Sequence, residues 1–76
     1  MTVIQALILS KEYFNKEQAE RWVSRHKFKP LKKVHETPLT YRFRLKEPDE
    51  SYDYRTKLLT TGVKAIIGYK DYHMFE

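Results

Sequence analysis

Arg42, Arg44 and Lys46 recur at every second position of Thr40–Lys46, with Tyr41, Phe43 and Leu45 between them. Successive side chains of an extended strand point to opposite faces, so the cations fall on one side and the apolar groups on the other. Such a stripe is suited to a run of phosphates or to the acidic surface of a partner. Lys32, Lys33, Arg55 and Lys57 would widen it if folding brought them alongside. Arginine at two of the three positions favours planar, bidentate recognition of phosphate or carboxylate. Tyr52 and Tyr54, if exposed nearby, offer stacking surfaces for the bases of a single strand. The simpler reading is a solvated strand face whose charges discourage edge pairing. An arginine of the stripe would equally pair with a carboxylate of the 47–53 loop, holding that loop on the sheet.

The remaining chemistry-bearing residues form weaker patterns. Glu47, Asp49, Glu50 and Asp53 place four carboxylates in seven residues. A divalent cation needs a tightly turning oxygen-rich loop, usually eased by glycine. This loop has none and is stiffened by Pro48, so a solvated turn is expected. His26, His35 and His73 are too scattered for a local metal motif. Ser10, Ser24 and Ser51 lack the flanking pattern of an activated nucleophile. With no cysteine in the chain, disulfides, zinc thiolates and cysteine nucleophiles are excluded. These residues point to no catalytic centre, no cofactor and no metal.

Seventy-six residues of which 41% are hydrophobic and 14% aromatic make one small globular domain. The net charge of +5 is unevenly placed. Residues 1–46 carry eleven Lys/Arg against four acids, whereas 47–76 carry four against six. From Arg25 to Lys46 eight basic residues face Glu36 alone, which raises the expectation of an anionic partner. The apolar run Val3–Leu9, broken by Gln5, is too short to span a membrane. It lacks the basic leader and cleavage site of a signal peptide, and a core strand is the expectation.

The elements that must position the stripe follow from the pattern. Thr2–Ser10 reads as a strand apolar on both faces, with Val3, Leu7 and Leu9 on one and Ile4, Ala6 and Ile8 on the other; two-sided burial implies a central strand or one covered by a helix. Asn15 and Gln18 stand in capping-box relation, and Phe14 can staple onto Ala19. Ala19, Trp22, Val23 and His26 share one helical face, with Trp22 expected at the core's centre. Leu31–Glu36 and Leu39–Lys46 read as the next strands, separated by a Thr37-Pro38 turn. Tyr52–Leu59 is ambiguous. Thr60-Thr61-Gly62 turns into a last strand, Val63–Lys70. The expected fold is α+β: one helix on an antiparallel or mixed sheet of about four strands, in order β-α-β-β-β, over residues 1–70. Residues 71–76 form a tail whose Tyr72, Met74 and Phe75 either fold back or dock on a partner.

These pieces together resemble a short domain family of unsettled role, met in tailed phages and large DNA viruses and often near phage head-formation genes. The residues that carry the resemblance begin with Val3-Ile4-Gln5-Ala6-Leu7-Ile8 and the helix Glu17–Val23, with its acidic-x-alanine-x-x-tryptophan pattern. Lys33–Thr37, Tyr41-Arg42-Phe43-Arg44, Tyr54-Arg55-Thr56-Lys57 and Gly62–Gly68 follow. One departure stands out. The family commonly reads His-Gly-aromatic at the helix end, but here the run is His26-Lys27-Phe28, so Lys27 must take the left-handed conformation or the helix ends differently.

The resemblance implies a viral or phage setting, in the host cytoplasm or the virion. The favoured expectation is a non-enzymatic interaction module or virion component, with a viral structural or host protein as partner, a homo-oligomer as one form, and no membrane. The alternatives are a basic nucleic-acid-binding accessory protein using the Arg42/Arg44/Lys46 face, or an inhibitor of a host defence protein.

Overall fold

The computed structural model describes residues 2–70. Along the chain run β1 (Thr2–Ser10), α1 (Lys16–Arg25), β2 (His35–Glu36), β3 (Thr40–Arg44), β4 (Asp53–Thr60) and β5 (Val63–Tyr69). The strands form one sheet in the order β2-β3-β1-β5-β4, antiparallel at every pairing, with α1 packed on one face. The α+β class is as expected, with five strands in place of about four. The candidate docking residues Tyr72, Met74 and Phe75 lie outside the described residues.

β1 is the central strand, one of the two places its two-sided apolar pattern allows. Leu7 sits opposite Phe43 on β3 and Ala65 on β5, and Leu9 opposite Tyr41 and Val63. These six side chains, with Ala19 and Val23 of α1, form the core. Full burial of each leucine contributes about 1.5–3 kcal/mol. The simple alternation expected for β1 fails at Gln5. A bulge between Ile4 and Ala6 admits one extra residue and shifts the pleat. Ile4 therefore joins Leu7 and Leu9 against the core, while Val3 joins Ala6 and Ile8 on the other face. Gln5 is buried, and its Nε2 donates to the Lys46 carbonyl at 2.8 Å. Its own carbonyl accepts from the backbone N–H of Leu45 (2.8 Å) and Lys46 (3.1 Å). That shared acceptor ends the β3 ladder at Arg44, short of the expected Lys46.

Local rules decide α1. The Gln18 N–H donates to Asn15 Oδ1 at 2.8 Å, and the Asn15 N–H donates to Gln18 Oε1 at 3.0 Å, closing the capping box. At the other end Phe28 N–H donates to Val23 O and Lys27 N–H to Ser24 O, the paired bonds of a Schellman motif. Lys27 takes the position glycine usually fills, at φ 65°. Trp22 is not the core's centre. It is half-buried at the flank, stacked on His26 at 3.9 Å and on Phe28 at 6.4 Å, while the smaller Ala19 and Val23 face the sheet. The small side chains of Ala19 and Val23 fill the helix–sheet contact, and the indole packs at its margin.

Leu31–Glu36 yields a strand only at His35–Glu36. Leu31 donates one backbone bond to Arg44 O, but its side chain is 53% exposed. The ambiguous segment is a full strand, β4, because β5 offers it a continuous ladder. Gly62, at φ 79°, closes the β4–β5 hairpin beneath Tyr13, whose ring lies where a β-carbon would stand.

Candidate anion-binding face

Alternation on β3 buries Tyr41 and Phe43 and leaves Arg42 and Arg44 exposed on the face opposite α1. The ladder places His35 of β2 directly beside Arg42. The Thr37–Thr40 turn fixes that pairing: Thr37 N–H donates to Thr40 O at 2.9 Å, Thr40 N–H donates to Thr37 Oγ1 at 2.9 Å, and the two hydroxyls meet at 2.7 Å. Lys32 and Lys33 arrive on the segment leaving α1, tied to β3 by the Leu31–Arg44 bond of 2.8 Å. A cleft of about 390 Å³ results, lined by Lys32, Lys33, His35, Thr37, Arg42 and Arg44.

Among the described residues one carboxylate stands near it. Glu47 Oε1 lies 3.7 Å from Lys32 Nζ and 3.9 Å from Arg44 Nη1. Both separations are long, and all three side chains are well exposed, so each pair contributes little to stability. Among the described residues Lys33 and Arg42 pair with no carboxylate. Glu36, next to His35 in sequence, points to the other face and is held by Lys11 at 2.6 Å. The hydrogen bond and charge of the Lys11 ammonium lower the Glu36 pKa below its ordinary value. The cleft is thus a concentration of positive charge, with Glu36 turned away from it and Glu47 loosely placed.

Four of the seven basic residues singled out in the sequence meet here, and three do not. Lys46, beyond the end of β3, borders a separate depression with Lys27, Lys29, Phe28 and Leu45. Arg55 and Lys57 lie on β4, which the strand order sets three places from β3. Their ladder partners are Ile67 and Ala65, so they also point to the helix side of the sheet. Arg55 lies over the Tyr69 ring at 6.0 Å instead. His35 and Thr37 belong to the cleft but were not expected there; the Thr-Pro turn two residues beyond His35 was the only sign of them.

The acidic loop closes on itself. Asp49 Oδ1 accepts from the N–H of Ser51 (2.9 Å) and from its hydroxyl (2.8 Å), bonds that lower the Asp49 pKa below its ordinary value. Among the described residues no cluster of three His, Asp or Glu is placed to hold a metal ion. No helix among them is long and apolar enough to cross a membrane.

No family model, curated protein or solved structure matches the chain.

Proposed function

We propose that this is a non-enzymatic binding module that holds the phosphate backbone of a nucleic acid in the cleft between β2, β3 and the segment leaving α1. One observation carries the reading: Lys32, Lys33, Arg42 and Arg44 converge with His35 on a single cleft, and among the described residues only Glu47 offers a nearby negative charge. Cations drawn from two separate stretches of chain, residues 32–33 and β3, make a stronger case than the stripe on β3 alone, since alternation within one strand accompanies any half-buried sheet. The resemblance to a phage and viral family adds a setting in which such a module would act as an accessory protein or virion component.

Neutralising about four phosphates releases counterions, so affinity for duplex DNA should fall roughly hundred-fold between 50 and 200 mM salt. Fluorescence anisotropy with labelled oligonucleotides measures this directly. Arg42→Ala/Arg44→Ala halves the contacts and should reduce the salt-dependent loss to about ten-fold, as well as weakening binding at low salt. Absence of binding at 50 mM salt by a folded protein would sink the reading.

A second reading has its own support. Leu58 and Leu59 are 61% and 42% exposed on β4, an edge strand of eight residues. A protein partner, whether a viral structural subunit or a host defence protein, would find apolar contacts there and would itself bring an acidic surface to the cleft. Its signature would be a complex that survives 200 mM salt and is weakened by Leu58→Lys.

A further inference from the structure

We infer that the ligand is single-stranded, laid across the face of the sheet that α1 leaves uncovered, with phosphates at the Arg42/Arg44 margin and bases on Tyr52 and Tyr54. This rests on the nucleic-acid reading above and specifies its substrate.

The ladder register assigns the face. Residues paired with core positions share the helix side, and their sequence neighbours share the other. Ala6, Ile8, Arg42, Arg44, Ile66 and Gly68 therefore lie together on the face away from α1. Tyr54, opposite Gly68 on β4, joins them. The face thus has a cationic margin on β3, a floor of Ile8 and Ile66 that is half-buried, and an aromatic margin beside β5. Three strand spacings separate the margins, about 14 Å.

The aromatic margin is built rather than incidental. A β-carbon at Gly68 would stand 2.8 Å from Tyr54 Cε1 and 3.2 Å from Tyr52 Cδ2, so the missing side chain is what allows both rings to settle on the sheet. Tyr54 is held at its far end, where its hydroxyl accepts from the Asp49 N–H at 2.7 Å. The Tyr52 ring lies 6.3 Å from it, tilted by 30°, and Lys70 Nζ stands 5.5 Å from the Tyr52 ring centre. Two tyrosines fixed on the sheet with a cation beside them form a stacking surface that needs little ordering when a base arrives.

A duplex would use this surface poorly. Its bases are enclosed, and reading them requires a helix or ribbon that enters a groove; here the helix lies on the opposite side of the sheet. An unpaired strand presents phosphates and base faces at once, which is the combination the two margins offer.

The test compares oligo-dT of roughly a dozen nucleotides, a length within the usual single-strand site size, with a duplex of equal length at 50 mM salt. The expected result is at least ten-fold tighter binding of the single strand, weakened roughly five- to hundred-fold by Tyr52→Ala. Backbone amide shifts on adding oligo-dT to the unaltered protein should extend to Ala6, Ile8, Ile66 and Gly68. Equal or tighter duplex binding, or shifts confined to residues 32–44, would overturn the inference while leaving the cleft as a phosphate site, provided Arg42→Ala/Arg44→Ala still weakens binding. Binding to neither form would end both readings.

Discussion

The two faces of the sheet are made by the same strands and obey different requirements. On the helix side Leu7, Leu9, Ala19, Val63 and Ala65 have no measurable exposure, and Tyr41 and Phe43 are nearly as deep. On the far side the same strands present Arg42, Arg44, Ile8 and Ile66, none fully enclosed. Phe43 is a core residue and its neighbours on either side line the cleft. One residue of offset separates what folds the protein from what we propose it uses, so the two can be altered independently.

The sharpest way to break that division is to cut into each face in turn. Leu7→Ala should cost about 2–5 kcal/mol, since it removes a fully enclosed side chain where the sheet and helix leave little room to relax. Arg42→Ala/Arg44→Ala should stay within about 0.5 kcal/mol per site. Urea unfolding of both variants measures the contrast, and a large loss from the arginine pair would show that the far face also holds the fold together.

Gly68→Ala probes the one place where the faces are not independent. The added methyl meets Tyr54 and Tyr52 at distances real side chains avoid. Overpacking there should cost about 1–3 kcal/mol and tilt the rings off the sheet, so binding to a single strand should fall along with the midpoint of unfolding. Removing the capping box with Asn15→Ala should cost about 1 kcal/mol without touching binding. Lys27→Gly should move stability the other way, by about 1 kcal/mol or less, because glycine accepts the left-handed backbone without strain.

The smallest effect concerns acid. The Glu36 pKa is lowered by Lys11, so the folded state binds that proton less readily than the unfolded chain. The pair's contribution is complete above the ordinary glutamate value and is lost as pH falls through the lowered one. Glu36→Gln should therefore flatten the acid limb of a stability-against-pH curve below about pH 4.5. An unchanged curve would leave the pair without energetic weight, as is common for exposed pairs.

The parts of the molecule legible in its sequence are those governed by neighbours along the chain. The capping box needs only residues three apart, whereas the sequence leaves the end of the helix open between a left-handed Lys27 and a different exit, and the structure has the former. The alternation on β3 needs only a period of two. The bulge at Gln5 was hidden because it depends on where Lys46 and Ile67 come to rest, and it reversed the expected faces of Val3 and Ile4. Trp22 gave way at the core to Ala19 and Val23 because helix-to-sheet distance is a property of the assembled layers. For the same reason Arg55, Lys57 and Lys46 were grouped with the stripe by charge, while strand order and the end of the β3 ladder separate them.

The central position of β1 has a consequence for how the chain assembles. Its partners are β3 and β5, and Leu9 meets Val63 while Thr2 meets Tyr69. The hairpin of β4 and β5 closes through a turn and can form early, but β1 gains its second edge only when distant parts of the chain have met, and contacts of that separation are slow to form. Until then an apolar strand stands with open backbone groups, ready to pair with any other copy it encounters. Refolding yield should therefore fall as protein concentration rises, well before the stability of the finished fold becomes limiting.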